Sequence, residues 1–193
     1  MTRSLAATAC ALAIALATLA GCVPMMVVGA VGTTAMVVAD RRSAGAQLDD
    51  ESIELKVSVK GNEEFGNRIH LNVTSYNGIV LLTGEAPDEG VRTAVGNIAK
   101  NTDKVRGVNN EMVIGLLSDF SARSNDTFIT SKVKSRMIEA NKFPPNAVKV
   151  VTERGVVYLM GIVSKEEGAA AADIAATTAG VARVVTFFQY PKT

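Results

Sequence analysis

The sequence predicts an α+β protein of two tandem αββαβ modules, each a three-stranded sheet covered by two helices, behind a lipoprotein signal and a tether. Three observations support this fold class: an apolar leader that ends at a cysteine, a segment that recurs at a fixed displacement, and the same order of helical and alternating patterns in both copies. We expect a signal peptide at residues 1–21, an acylated cysteine and small-residue tether at 22–44, a first module at 45–117 and a second at 118–193.

The leader resembles a bacterial lipoprotein signal. Arg3 precedes an uncharged apolar run from Leu5 to Leu19, which is short for a transmembrane helix and typical of a secretory signal. The ending Leu19-Ala20-Gly21-Cys22 resembles a lipobox, in which cleavage precedes the cysteine and its thiol is acylated. Cys22 is therefore the expected lipidation site. The alternative is a secreted protein whose cleaved chain carries Cys22 as a free thiol.

A second uncharged stretch, from Val23 to Ala39, follows the leader and ends before Asp40. Its length is borderline for crossing a bilayer, and it is rich in small residues. We therefore expect a tether that lies against the membrane. Val23 follows the cysteine where an inner-membrane lipoprotein usually has Asp. The resemblance to sorted lipoproteins thus implies a lipid anchor in the outer membrane, at its periplasmic face.

The duplication is clearest at two predicted hairpins. Tyr76 to Gly84 matches Glu153 to Gly161, and both glycine pairs are displaced by 77 positions, from 78 to 155 and from 84 to 161. Lys56-Val57 recurs as Lys132-Val133, displaced by 76 positions. Nearly the same displacement at separated places indicates two copies of one structural unit.

Each copy has the same predicted elements. Asp50 and Asp126 are expected to cap a first helix, because apolar residues at helical spacing follow them. Alternating residues then predict a hairpin, whose turn in the first copy is the favoured dipeptide Asn77-Gly78. A second helix and a closing strand complete the unit. The second helices start near Pro87 and Lys165, and the closing strands follow Gly107 and Gly180.

This unit resembles the BON domain, a small module of bacterial envelope proteins. The glycines that support the resemblance stand in the hairpins and before the closing strands: Gly78, Gly84, Gly107, Gly155, Gly161 and Gly180. We expect them to be structural, because the spacing lacks the Gly-Lys-Ser/Thr of a phosphate loop. Two BON modules behind a lipobox resemble outer-membrane lipoproteins, which implies a role in envelope integrity at division sites.

The composition excludes several functions. The chain has 193 residues with 20 Lys and Arg, 19 Asp and Glu, and no Trp, so it lacks the basic surplus and aromatic platform of a nucleic-acid binder. One His and two Cys are too few for a zinc site built from these residue types. We expect no cofactor, no metal and no catalytic residue. His70 is expected at the rim of a sheet, and the pair Asp49-Asp50 at a solvated helix start.

The first helices of the two copies differ in charge. Residues 126–142 contain four basic and two acidic residues, whereas residues 49–60 contain four acidic and two basic ones. At about 100° per residue, Phe128 lies about 140° from the centre of the apolar stripe that should face the sheet. That stripe contains Ile129, Val133, Met137 and Ala140. Phe128 should therefore protrude, and Ser52 is its counterpart in the first copy.

A protruding aromatic ring beside cations suits a membrane interface, where the cations meet lipid phosphates. The resemblance to tandem BON-domain proteins implies the same function, since the second module of such proteins looks like the lipid-binding module. The expected lipid-binding residues are Phe128, Lys132, Arg136, Lys134, Ser131 and Ser135. We therefore predict a non-enzymatic lipoprotein that binds anionic phospholipid membranes. In the alternatives, Phe128 covers the junction of the modules, and the chain is an adaptor or periplasmic chaperone for outer-membrane assembly proteins.

The leader gives a first test. Mass spectrometry of the mature N-terminus should find a lipid-modified Cys22, because the lipobox directs both cleavage and acylation. Cys22→Ala should release the protein from membranes in a fractionation experiment. An unmodified N-terminus at another residue would contradict the anchor.

Overall fold

The computed structural model describes residues 40–191, and its elements follow the duplication. The first half contains α1 (Ala44–Phe65), β1 (His70–Tyr76), β2 (Ile79–Ala86), α2 (Glu89–Lys100), β3 (Gly107–Asn110) and β4 (Val113–Ile114). The second half contains α3 (Phe120–Ala140), β5 (Val148–Glu153), β6 (Val156–Ile162), α4 (Lys165–Ala176) and β7 (Arg183–Gln189). The signal, Cys22 and the tether up to residue 39 lie outside the described residues. None of the helices between residues 40 and 191 is long and apolar enough to cross a membrane.

The two sheets have the same topology. In the first, β2 is central, antiparallel to β1 and parallel to β3; in the second, β6 is central, antiparallel to β5 and parallel to β7. A parallel pair needs a crossover connection, and α2 and α4 supply it. The predicted α+β class and the αββαβ order are therefore confirmed.

The closing strand of the first module differs from the expectation of three strands. It is broken into β3, which pairs with residues 79–82, and β4, which pairs with residues 85–86 of the same central strand. At the break, the Met112 side chain is buried in the module core, and the Glu111 amide still donates to the Leu82 carbonyl. The described sheet of this module thus has four strands, whereas β7 runs unbroken.

The first helix of each module begins earlier than the sequence indicated. Ser43 and Asp119 are the N-caps, and their side chains accept the amides of Ala46 and Ala122. Asp50 and Asp126 lie inside the helices and are buried. The prediction that these two residues cap the helices is therefore wrong, as is the solvated position expected for Asp50.

Both aspartates bind the hairpin turn of their own module. Asp50 accepts the amides of Asn77 at 2.7 Å and Gly78 at 2.8 Å. In the second module, Asp126 accepts the amides of residues 154 and 155 at 2.7 and 2.8 Å. Both residues of each turn have positive φ, as a type I′ turn requires. One carboxylate thus fixes the first helix against the hairpin in each copy.

Asp50 has two further partners. The Ser75 hydroxyl donates to it at 2.6 Å and the Arg42 guanidinium at 2.8 Å. Burial raises the pKa of the Asp50 carboxyl, but the hydrogen bonds from Ser75, Gly78, Arg42 and Asn77 outweigh burial and hold the pKa below its ordinary value. The carboxylate is therefore ionised and fully hydrogen-bonded inside the module.

Gly84 and Gly161 stand at equivalent positions of the central strands, where the facing backbone is too close for a side chain. A Cβ at Gly84 would lie 2.0 Å from the His70 carbonyl oxygen, and one at Gly161 would lie 2.3 Å from that of Ala147. The structural role expected of these two glycines follows from this contact. Gly107 has no such backbone contact, and a Cβ there would approach Ile79 Cδ1 at 3.2 Å.

The apolar residues form three cores arranged in layers. Val80 and Leu82 face α1 and α2, while Val157 and Leu159 face α3 and α4. The alternate residues of the strands point the other way and form a third core between the two sheets. This core contains Tyr76, Leu81, Tyr158 and Met160. The layers therefore run helix, sheet, sheet, helix, and both faces of each sheet are covered.

The aspartate contact predicts a large difference between two neighbouring residues. Asp50→Ala leaves two buried turn amides without their acceptor, so it should lower the free energy of unfolding by about 3–5 kcal/mol. Arg42 loses one of its two carboxylate partners and keeps Asp40. Asp49 forms an exposed ion pair with Lys104, so Asp49→Ala should cost at most about 1 kcal/mol. Urea unfolding followed by circular dichroism measures both values. Similar losses in the two variants would contradict the proposed role of Asp50.

Candidate membrane-contact site

Phe128 projects from α3 on the side away from the sheet. Its neighbours Ile129 and Val133 are buried in the module core, whereas Phe128 is 61% exposed. The rotation deduced from the sequence is therefore correct for these residues. It is wrong for Ala140, which is exposed because α3 ends there. The counterpart Ser52 is half-buried on α1.

Lys132 lies one turn after Phe128 on the same face. Its ammonium is 4.8 Å from the centroid of the Phe128 ring, which is within the range of a cation–π contact. The same ammonium donates a hydrogen bond to the Ala179 carbonyl at 2.5 Å. Lys132 thus joins the protruding ring to the segment that follows α4.

Arg136 lies one further turn along α3 and also contacts the end of α4. Its guanidinium donates to the Ile174 carbonyl at 3.1 Å and to the Thr178 hydroxyl at 2.8 Å. The last carbonyls of a helix have no partners within the helix and carry partial negative charge. Arg136 therefore stabilises the C-terminal end of α4, Lys132 binds the segment that follows it, and both flank Phe128. Sequence patterns did not indicate this second role, because it depends on how α4 packs.

These side chains line a groove of about 540 Å³ that opens to solvent. Five of the six expected lipid-binding residues line it: Phe128, Ser131, Lys132, Ser135 and Arg136. Lys134 is exposed on another side of α3 and lines two other cavities. Glu139 and residues 177–179 complete the groove, and the sequence analysis missed them.

Gly180 allows the wall of the groove to form. Its φ is +97°, and a Cβ there would lie 3.1 Å from Ile129 Cγ1 and 3.4 Å from Lys132 Nζ. A larger residue would therefore be strained and would push the segment after α4 away from α3. The structural role expected for Gly180 thus supports the shape of the candidate site.

His70 lies at the rim of the face between the sheets, with its side chain 18% exposed. Its Nδ1 is 3.0 Å from Glu85 Oε2 and 3.8 Å from Glu153 Oε1. Two carboxylates therefore lie beside this histidine, although the sequence indicated no carboxylate partner for it. The partner Glu85 could have been predicted from the sequence, because a hairpin with a two-residue turn at 77–78 pairs position 70 with position 85. Glu153 comes from the second module and depends on how the two sheets pack.

The two carboxylates beside His70 differ in their electrostatics. Burial raises the pKa of Glu85, but hydrogen bonds from the Ser118 amide, Arg154 and His70 outweigh burial and lower the pKa below its ordinary value. The pKa of Glu153 is raised by burial, and the charge of Glu85 raises it further although His70 opposes the shift. Glu85 is thus the better compensated carboxylate of the two.

The BON domain family matches residues 49–115 and 125–192 of the chain. The outer membrane lipoprotein DolP of Haemophilus influenzae is 37% identical over 174 residues, which cover 89% of this chain and 90% of that protein. A 21 kDa hemolysin of Actinobacillus pleuropneumoniae is 34% identical over 153 residues, which cover 78% and 79%. Among solved structures, CdsD, a structural protein of the type III secretion system of Chlamydia trachomatis, is 13% identical with a TM-score of 0.31, and the match covers 75% of this chain and 64% of that one.

The duplicated fold and the exposed basic helix define a tandem α+β module with one candidate membrane-contact surface. The chain belongs to the BON domain family and has two BON domains in tandem. It is similar to DolP over nearly its whole length, and it is an outer-membrane lipoprotein of the bacterial envelope. The acylation of Cys22 and the role of the groove remain predictions.

The contacts of Arg136 predict that its loss affects stability. Arg136→Ala removes two hydrogen bonds from a charged donor to the end of α4, so it should lower the free energy of unfolding by about 1–3 kcal/mol. Lys134→Ala on the same helix removes an exposed cation and should change stability by at most about 0.5 kcal/mol. Chemical unfolding curves of the two variants test this difference. Equal stability would show that the contact with α4 contributes little.

Proposed function

We propose that this lipoprotein binds anionic phospholipid through the groove on α3 and thereby supports envelope integrity, including at division sites. In this proposal, acylated Cys22 holds the chain at the outer membrane, and the second BON domain recognises the membrane surface. The domain acts by binding and performs no catalysis. The observation that carries the proposal is the 61% exposed Phe128 ring on a basic helix beside the groove.

The chemistry of the groove supports this choice of ligand. An exposed aromatic ring can enter the boundary between headgroups and acyl chains, where burial contributes about 1.5–3 kcal/mol. Each nearby cation adds about 1 kcal/mol at an anionic surface. Ser131 and Ser135 add hydroxyl groups at the same surface. Apolar, cationic and hydroxyl groups thus meet where a phospholipid headgroup would lie.

The structure also limits how much the cations contribute. Arg136 already donates to a carbonyl at the end of α4 and Lys132 to the Ala179 carbonyl beyond it, so part of their charge offsets the partial charge of those carbonyls. Glu139 adds a negative charge to the groove wall. We therefore expect the Phe128 ring to contribute more to membrane affinity than either cation alone.

Co-sedimentation of residues 40–193 with vesicles of varied anionic content tests the proposal. Phe128→Ala should weaken binding about 10- to 100-fold, because the buried ring is lost. Neutralising Lys132 and Arg136 together should also weaken binding, and this part of the affinity should fade at high salt as the Debye length shortens. Salt thus separates the apolar contribution from the charged one.

Ile138→Ala is the matched control for Phe128→Ala. Ile138 is 58% exposed on the same helix, but it lies outside the groove. It should leave vesicle binding unchanged. If a folded protein without Phe128, Lys132 and Arg136 binds anionic vesicles like the wild type, the groove has a structural role and lipid binding through it is wrong.

A second candidate function is a protein adaptor for outer-membrane assembly factors. The observation in its favour is an exposed apolar row on α1, where Leu48 is 66%, Leu55 65% and Val59 44% exposed. Spacings of seven and four residues put these side chains on one face of the helix. Replacing the three by Ser should leave vesicle binding intact. If envelope function is nevertheless lost, the adaptor function is supported.

A further inference from the structure

Three potential metal ligands from both domains meet at the junction of the two sheets. His70 is the first residue of β1, Glu85 belongs to β2, and Glu153 ends β5. One donor atom from each residue lies within 4.8 Å of the other two. Two of these distances are 3.0 Å, from His70 Nδ1 to Glu85 Oε2, and 3.8 Å, from His70 Nδ1 to Glu153 Oε1.

We propose that His70, Glu85 and Glu153 bind one divalent transition-metal ion, with Zn²⁺ as the best match. An imidazole nitrogen and two carboxylate oxygens are common zinc ligands, and three protein ligands leave a fourth position for water. Ligand bonds of about 2.0–2.2 Å put neighbouring donors of a tetrahedral site about 3.3–3.6 Å apart. The distances from His70 bracket this range and the third donor pair lies within 4.8 Å, so side-chain rotations would complete the site.

The groups around the cluster leave the ligand atoms available, and Zn²⁺ would displace to solvent the proton that His70 Nδ1 shares with Glu85. The Arg154 guanidinium binds the other oxygen of Glu85, Oε1, at 3.2 Å, which leaves Oε2 to face His70. The Ser118 hydroxyl lies 3.3 Å from Oε2 and helps to orient it. Such outer contacts fix the orientation of metal ligands in known sites. A cavity of about 400 Å³ borders His70 and Glu153, and it has room for water as the fourth ligand.

The charge of the cluster favours a cation. The Glu85 side chain is fully buried and that of Glu153 is 6% exposed, so two carboxylates with little exposure to solvent lie beside one imidazole. Arg154 supplies one positive charge, which leaves the cluster negative when His70 is neutral. A divalent ion would supply the missing positive charge at the point where both carboxylates and the imidazole converge.

The site would join the two BON domains. His70 and Glu85 come from the first domain and Glu153 comes from the second, so a bound ion would link two ligands of one domain to one ligand of the other. Binding to the folded state alone raises stability with the logarithm of the ligand concentration over Kd. The composition argument against zinc considered sites of Cys and His, and this ligand set is built mainly from Glu.

Zinc titration of the full-length lipoprotein tests the proposal. The protein, in detergent and without a histidine tag, is freed of metal and titrated with Zn²⁺ by isothermal calorimetry, with thermal unfolding as a second readout. We expect one Zn²⁺ per chain and a higher Tm with zinc. His70→Asn and Glu153→Gln each remove a ligand and should weaken binding by at least about 10- to 100-fold.

Glu63→Gln is the control, because Glu63 is an exposed carboxylate near the end of α1. It should bind zinc like the wild type. Circular dichroism of the metal-free variants establishes that each is folded. The proposal is overturned if the wild type shows no saturable binding at millimolar zinc, or if folded His70→Asn and Glu153→Gln proteins bind as tightly as the control.

Discussion

The hydrogen bonds that a buried aspartate accepts from a hairpin turn are the contact on which each domain depends. Asp50 and Asp126 project from the first helix of their domains and accept two successive amides of a type I′ turn. The turn fixes the register of the hairpin, and the hairpin supplies the central strand of the sheet. The carboxylate therefore sets where the first helix crosses the sheet, and thus which of its residues face the solvent. The position of Phe128 outside the core follows from this contact in the second domain.

The central strands explain why the two domains form one structure. Residues 80–86 of β2 are buried without interruption, and so are residues 157–161 of β6. A strand covered on one face should alternate between apolar and polar residues, whereas one covered on both faces should not. The chain meets this requirement by packing one sheet against the other around Tyr76 and Tyr158. The polar groups at the rim of this core, His70 and Glu153 among them, are consequently held close together.

Much of the fold could be predicted from the sequence, since the duplication, the hairpin turns and the protrusion of Phe128 depend on local patterns. Contacts between distant segments could not. Asp50 looked like a helix cap because its side chain favours that position, yet its partners lie 27 and 28 residues away. Arg136 looked like a free cation, but α4 provides acceptors for it. The unbroken apolar runs at the start of β2 and β6 do indicate strands covered on both faces, but the hairpin prediction takes no account of them.

The order of the layers puts the acidic helix α1 and the basic helix α3 on opposite sides of the two sheets. Two sheets lie between α1 and α3, so the two helices cover opposite outer faces of the layered core. Charges in physiological salt are screened over about 8 Å. α1 has six acidic and two basic residues, but Arg42 pairs with Asp50 and Lys149 of the second domain pairs with Glu54, so these two carboxylates add little repulsion for anionic headgroups. A nearly neutral chain can therefore present opposite polarities to a membrane and to the periplasm.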